Sequence, residues 1–243
     1  MEKGENKDKE NNQDNIKEND NNQYKAEIIN VPKDYQYEMN FKIIVIGDSG
    51  VGKTCITNKA ISDDFTNQYN ITIGMEIFSL FLKLDNKIIK LNIWDTCGQE
   101  IYRSLITNFY RNSSLAILVY SIDNKKSFQD IDLWIKELKV NNSPDTKLIL
   151  VGNKADLEEN REVQYVEGKK FAENYEFLDF FETSAKTGEN IKKLFIKSAS
   201  VLYAEHLKYK DTESVNSYSS FRHSNIQNLD TNRLKKKNSK GCC

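Results

Sequence analysis

Short, nearly continuous apolar runs alternate with segments of helical period through the middle of the chain. The runs Phe41 to Ile46, Leu115 to Tyr120, Lys147 to Val151 and Phe177 to Phe181 have the length and continuity of strands buried on both faces. Between them, Phe128, Ile131, Trp134, Ile135 and Leu138 recur at spacings of three, three, one and three, which makes one apolar helical face. Ile191, Leu194, Phe195, Val201 and Leu202 do the same in the last core segment. Residues 76–94 differ, because two β-rich runs meet at Asp85-Asn86-Lys87 and alternation is clearest from Ile88 to Trp94, as in a hairpin. The pattern predicts an α/β domain: a mostly parallel six-stranded sheet with one antiparallel strand and helices on both faces.

The ends of the 243-residue chain read differently. Residues 1–38 are dominated by Asn, Glu, Lys, Asp and Gln, with Ile16, Ile28, Ile29 and Val31 almost the only aliphatic positions. Such a stretch buries too little apolar surface to offset its ordering entropy, so a disordered extension is expected there. Residues 209–243, rich in Ser, Asn and Lys, are expected to be a second flexible tail, leaving one domain over 39–208. A formal net charge of −1 rules out a globally basic nucleic-acid binder. No apolar run approaches the roughly 18 residues of a membrane span, and the charged N-terminus lacks a secretory apolar core, so a cytosolic protein is expected. The four cysteines, Cys55, Cys97, Cys242 and Cys243, show no metal-ligand spacing and no disulfide framework.

Candidate chemistry follows the strands, as it should in an open α/β sheet, where ligands lie outside the carboxyl ends. The first strand runs into Gly47-Asp48-Ser49-Gly50-Val51-Gly52-Lys53-Thr54, a loop of the form G-x-x-x-x-G-K-T. Its glycines let backbone N–H groups approach phosphate oxygens, Lys53 reaches the β- and γ-phosphates, and the Thr54 hydroxyl suits Mg²⁺. Glycine and serine also punctuate ordinary turns, but a strand before and a helix-compatible segment after favour the phosphate cradle. After the hairpin comes Trp94-Asp95-Thr96-Cys97-Gly98-Gln99-Glu100, where Asp95 can hold the Mg²⁺ shell, Gly98 can offer N–H to a γ-phosphate and Gln99 can orient water. Alone, Asp-x-x-Gly is a turn signature; its place after the loop and hairpin gives it this second meaning.

Asn153-Lys154-Ala155-Asp156 puts a carboxylate just past a strand. Ionised Asp156 can accept from guanine N1–H and the 2-amino group, whereas adenine offers neither donor, so a buried carboxylate here would select guanine. The next strand leads to Ser184-Ala185-Lys186, where a backbone N–H can meet guanine O6 and the lysine stem can cover the base. As an isolated string it would be only a helix N-cap. In the polar stretch between loop and hairpin, Phe65 is a candidate lid on the base and Thr72 a candidate second Mg²⁺ ligand.

Four ordered motifs, GDSGVGKT, TIG, WDTCGQE and NKAD, closed by SAK, resemble the Ras superfamily of small GTPases across essentially the whole core. Within it, IGDSGVGKT, Ile73-Gly74, KLNIWDTCGQE, VYSIDNKKSF and a terminal Cys-Cys together resemble the Rab family. A Rho-like chain would carry Thr-Lys-x-Asp at the base-reading motif, and Met1-Glu2 lacks the glycine of an Arf-like myristoylation signal. The resemblance implies a phosphate-loop GTPase with bound Mg²⁺ that cycles between GTP and GDP. It implies nucleotide contacts at Asp48, Ser49, Gly50, Val51, Gly52, Lys53, Thr54, Cys55, Phe65, Tyr69, Thr72, Gly98, Asn153, Lys154, Asp156, Ser184, Ala185 and Lys186. It also implies metal ligands at Thr54, Thr72 and Asp95, with Gln99 as the catalytic residue.

For partners, it implies effectors in the GTP state, an exchange factor, an activating protein, a prenylation escort and a GDP-dissociation inhibitor, acting on a monomer. The effector surface would comprise Ile73, Gly74, Ile77, Trp94 and Phe109. Ile77 stands where an aromatic residue is typical, which bears on partner choice rather than on nucleotide binding. Ile101 replaces a usual Arg, Asn112 a usual Gly and Cys97 a common Ala; for Cys97 a small neutral substitution is favoured over a redox handle.

From Thr231 to Cys243 the chain carries five basic side chains and no acidic ones. Lysine runs are usually just solvated, but terminal Cys242 and Cys243 have no packing use in a flexible end. The resemblance implies that both are geranylgeranylated, and two lipid chains beside a basic stretch meet the condition for stable anchoring on a cytoplasmic membrane face. Competing readings are a nucleotide-locked binding module without useful hydrolysis and a phosphate-loop kinase acting on a small metabolite. No arginine is identifiable as a finger in cis, so slow intrinsic hydrolysis accelerated by an activating protein is expected.

Overall fold

Strand residues alternate between two cores because helices cover both faces of one sheet. In the computed structural model, which describes residues 25–32, 35–63, 72, 74–98, 109–143 and 145–210, the strands are β1 (Ala26–Ile29), β2 (Met39–Ile46), β3 (Met75–Leu84), β4 (Lys87–Thr96), β5 (Leu115–Ser121), β6 (Lys147–Asn153) and β7 (Asp179–Thr183). The helices are α1 (Lys53–Ser62), α2 (Lys125–Gln129), α3 (Ile131–Asn141), α4 (Tyr165–Asn174) and α5 (191–210). Ile43, Val45, Leu115, Ile117 and Val119 face a core shared with Ile56 of α1 and Ile191, Leu194, Phe195 and Leu202 of α5. Their neighbours Ile44, Ile46, Ala116, Leu118 and Tyr120 face Phe128, Ile131, Trp134, Ile135 and Leu138 on the other side. The five-residue apolar face is thus one stripe carried by two successive helices, α2 and α3, with Asp130 at their junction.

The sheet has seven strands in the order β1-β3-β4-β2-β5-β6-β7, one more than the six expected. The pairs β2–β4, β2–β5, β5–β6 and β6–β7 are parallel, while β3 runs antiparallel to both β4 and β1. Only β3 therefore runs against the rest, as the hairpin predicted. The hairpin turns at Asp85, whose φ of 52° places it in the left-handed region that Asp tolerates better than most residues.

The additional strand comes from the polar extension, and here the expectation of disorder through residue 38 is corrected for Ala26–Ile29. Composition over a long window hid a four-residue segment whose partners lie 52 to 58 residues away, with Ala26 opposite Leu84 and Ile28 opposite Leu82. Ala26 and Ile28 pack against the α1/α5 core. At the turn, Lys25 N–H donates to Asp85 Oδ1 at 3.2 Å and Asp85 N–H donates to Lys25 O at 2.9 Å. The Tyr37 ring then lies 6.5 Å from that of Phe81 before the chain enters β2. This strap covers residues 81–84 of an edge that would otherwise expose unpaired backbone groups. At the other end of the domain, α5 is tied down by Lys147–Glu205 at 2.7 Å and by His206 edge-on to Phe41.

Candidate functional site

β2 ends at Ile46 and α1 begins at Lys53, so the loop between them delivers a helix N-terminus to the carboxyl end of the central strand. Gly52, the N-cap, has φ 96°, and a Cβ there would meet Asn153 Nδ2 at 2.3 Å; only glycine fits. It supplies no side-chain cap, so the first-turn N–H groups of a ten-residue helix remain directed at the site, an arrangement suited to phosphate. Lys53 is buried, and its Nζ donates to Gly47 O at 2.8 Å and Asp48 O at 2.7 Å. Burial lowers its pKa to about 8, against the raising influence of Asp95 and Asp48.

Beside it lie two hydroxyls and a carboxylate. Thr54 Oγ1 is 2.8 Å from Thr72 Oγ1 and donates to Asp95 Oδ2 at 2.5 Å. Asp95 is fully buried, and its other oxygen, Oδ1, is a buried acceptor without a hydrogen-bond partner. Burial pushes this carboxyl up to about 6, although the Thr54 hydrogen bond and Lys53 pull the other way. An orphaned carboxylate oxygen next to two hydroxyls is an all-oxygen donor set of the kind hard cations such as Mg²⁺ prefer, so these residues fit that ion. Gly98 follows on the same strand end, and a Cβ there would fall 2.3 Å from the Asp48 carbonyl carbon and 2.4 Å from Ser49 N. The segment after Asp95 therefore rests directly on the phosphate-type loop.

The second half of the site is built by the ends of β6 and β7, paired in register so that Asn153 lies opposite Thr183. Asn153 is buried and acts as a joiner. Its Nδ2 donates to Val51 O at 2.8 Å, and its Oδ1 accepts from Thr183 Oγ1 at 3.1 Å and from Ala185 N–H at 3.3 Å. Asp156 sits at the mouth, accepting from Ser184 Oγ at 2.5 Å with Lys186 Nζ at 3.7 Å. Lys154 takes the left-handed φ of 66° and pairs with Asp123 at 3.5 Å. Cys55, half-buried at the start of α1, has its thiol pushed up by burial, with the Asp95 charge adding to the effect.

Away from this cleft, β3 and β4 place Ile77 opposite Trp94, and the Trp94 ring lies 5.9 Å from Phe109. Ile77 is 55% exposed, so this cluster offers an apolar contact to solvent. Gly74, at φ 80°, begins the same strand pair. Cys97 is buried in the core beneath, which supports the neutral-packing reading of that residue. Asn112 adopts φ 60°, and this accounts for Asn where Gly is usual, since Asn tolerates the left-handed region. Phe65, Tyr69, Ile73, Gln99, Ile101, Cys242 and Cys243 lie outside the described residues.

Three residues make contacts that the sequence did not announce. Arg161, with a 9% exposed side chain, makes paired hydrogen bonds to Glu182 at 2.6 and 2.8 Å and also holds Glu158, tying the turn after Asp156 to the strand before Ser184. Lys42 Nζ lies 3.9 Å from the Trp94 ring centre and donates to Phe109 O and Arg111 O at 2.6 and 2.9 Å. Trp134 Nε1–H donates to Asp48 Oδ1 at 2.9 Å. Arg161 and Lys42 look like ordinary surface charges in sequence, and Trp134 reads as core; only long-range pairing distinguishes them.

A model of the Ras family matches residues 42–204. The chain is 41% identical over 180 residues to the Ras-related protein Rab-11B of Dictyostelium discoideum, an overlap covering 74% of this chain and 81% of that protein. It is also 40% identical over 163 residues to the Ras-related protein Rab-4B of Homo sapiens and of Rattus norvegicus, covering 67% of this chain and 76% of each relative. Among the described residues no helix is long and apolar enough to cross a membrane.

Proposed function

Because the chain belongs to the Ras family of GTPases, and within it to the Rab type, we propose that the cleft at the carboxyl ends of β2, β4, β6 and β7 is its guanine-nucleotide site. The protein is a Rab-like small GTPase, a GTP/GDP-switched regulator of vesicle-mediated membrane traffic that hydrolyses GTP to GDP and phosphate. The observation that carries the site assignment is the convergence of Lys53, Thr54, Thr72 and the orphaned Asp95 carboxylate on the N-terminus of α1.

In this reading the loop amides from Asp48 to Thr54 hold the β-phosphate, and Lys53 carries positive charge to the β- and γ-phosphates. Thr54, Thr72 and Asp95 are the residues that would hold Mg²⁺, which when bound neutralises phosphate charge. Gly98 offers its N–H to the γ-phosphate, and Gln99, the next residue, orients the attacking water. Asp156 accepts from guanine N1–H and the 2-amino group, with Ser184 holding the carboxylate in place. A backbone N–H of the Ser184–Lys186 stretch meets O6, the Lys186 stem covers the base, and Phe65 is the lid on it. Tyr69 and Cys55 complete the contacts. Loss of γ-phosphate removes the partner of Gly98 and a shared ligand of the ion that Thr72 would hold, and release of the segments bearing them is the switch.

Effectors dock on Ile73, Gly74, Ile77, Trp94 and Phe109 in the GTP state. An exchange factor and an activating protein set the timing, while Cys242 and Cys243 carry the lipids that hold the protein on the cytoplasmic face of an intracellular membrane. A prenylation escort and a GDP-dissociation inhibitor maintain the cytosolic pool. Nothing favours the nucleotide-locked alternative. Single-turnover hydrolysis of bound GTP, with and without candidate activators, tests the reading: phosphate release accelerated by one of them is expected, and none under any condition would overturn it. Tighter binding of GDP than of ADP is the accompanying expectation for the base-reading residues.

A further inference from the structure

Trp134 belongs to the core stripe of α3 by its spacing, yet its polar edge leaves that core. It has no exposed surface, packs among Ile131, Ile135 and Leu118, and donates Nε1–H to Asp48 Oδ1 at 2.9 Å across 86 residues of sequence. Asp48 is the first residue after Gly47, at the start of a loop whose glycines give it little intrinsic rigidity. Its peptide link to Ser49 is approached from three directions. Lys53 Nζ binds the Asp48 carbonyl at 2.7 Å, Gly98 lies so close to Asp48 and Ser49 that it has no room for a Cβ, and Trp134 holds the Asp48 side chain from beneath. The carboxyl also meets Asp130 at the α2–α3 junction, itself paired with Lys126 at 3.0 Å. Burial pushes the Asp48 carboxyl up; the Trp134 N–H opposes this, and the hydrogen bond and charge of Asp130 reinforce it.

A buried indole N–H needs an acceptor, and here the acceptor is a side chain of the loop rather than a neighbour on the helix. The loop's first turn is thereby fastened to the buried face of α3. We infer that Trp134 is a positioning residue of the nucleotide cradle, whose indole N–H fixes Asp48 and so keeps the following loop amides aimed at phosphate. This rests on the reading of residues 47–54 as that cradle.

Two measurements on the full chain test it. The first is release of a fluorescent GDP analogue. Trp134→Phe removes the donor while keeping an aromatic ring, and Asp48→Ala removes the acceptor; each should speed release on the order of tenfold, as loss of one hydrogen bond to a carboxylate predicts. Because each acts through the other, the double variant should release no faster than either single one. No acceleration, or acceleration factors that multiply in the double variant, would overturn the inference and leave Trp134 as core packing. The second is the indole N–H resonance of ¹⁵N-tryptophan-labelled protein. The chain has two tryptophans, and Trp94→Phe assigns them. Asp48→Ala should move the Trp134 resonance clearly upfield; an unmoved resonance refutes the contact. Should Trp134→Phe not fold, release from Asp48→Ala and the resonance decide the matter, both being required. A chain that takes up no GDP at all would instead sink the cradle reading, and the resonance would still report whether Asp48 holds Trp134.

Discussion

Replacing Asp95 by Asn is expected to stabilise the cation-free, nucleotide-free protein above neutral pH while destroying its response to Mg²⁺. The Asp95 carboxyl is fully buried and sits near pH 6, against about 3.9 for a free Asp side chain, mainly through burial. The sign follows directly. Below about pH 4 the carboxyl is protonated in both folded and unfolded chains and costs nothing; above about pH 6 the folded chain must hold a charge that the unfolded chain keeps in water. The cost therefore appears as pH rises between those values and is complete above the upper one. Two pH units at about 1.4 kcal/mol each amount to about 3 kcal/mol. Asn removes the charge but leaves an amide where Oδ1 already lacks a partner, which returns roughly 1–2 kcal/mol. The net gain near pH 7.5 is about 1–2 kcal/mol, or roughly 2–8 °C in midpoint for a domain of this size. The amide penalty does not depend on pH, so the variant-minus-wild-type gap should grow by about 3 kcal/mol between pH 4 and 7.5. Urea unfolding in chelator across that range measures it. A gap that stays flat, or narrows toward neutral pH, refutes the reasoning. With GDP and excess Mg²⁺ the order should reverse, because the wild-type chain, with its full Mg²⁺ ligand set, gains more binding free energy on folding than the variant.

Gly98→Ala should weaken GTP binding far more than GDP binding, because the added Cβ would lie within 2.4 Å of the Asp48–Ser49 backbone and must push the segment off the loop; equal affinities for both nucleotides, by competition titration, would contradict the γ-phosphate role of Gly98. Removing residues 1–31 deletes β1 and the half-burial of Ala26 and Ile28, and should lower stability by about 1–3 kcal/mol; an unchanged urea midpoint would show that the strap contributes nothing. Deleting Cys242 and Cys243 should release the protein from membranes in fractionated cells without altering GDP affinity, and a truncated chain that still sediments with membranes places the anchor elsewhere.

Much of this protein is legible in one dimension because its chemistry is local. The loop from Gly47 to Thr54, the Asp95–Gly98 turn and the Asn153–Asp156 and Ser184–Lys186 stretches are each contiguous, each follows a strand, and each needs particular residue types whatever surrounds it. The same holds for the buried strands, since a sheet covered on both faces requires continuous apolar runs, and for the hairpin, whose turn is written at Asp85. The register that brings Thr54, Thr72 and Asp95 within one hydrogen-bonded group is a property of the folded sheet, as is the burial that orphans Asp95 Oδ1.

What tertiary structure alone decided are pairings across long stretches of chain, whose partners carry no local mark. Ala26–Ile29 is too short and too polar in its surroundings to announce a strand; it becomes one because β3 has a free edge with Leu82 and Leu84 waiting on the core side. Asn153 looks like a base reader in its motif, yet its buried amide joins three loops. Trp134 reads as core from its period, and its indole N–H nevertheless reaches the phosphate loop. Sequence by itself determined the fold class, the nucleotide chemistry and the order of the motifs, because backbone turns and strand burial constrain neighbouring residues. The strap, the Trp134–Asp48 hydrogen bond and the upward shift of the Asp95 carboxyl were decided only when distant segments excluded water from one another.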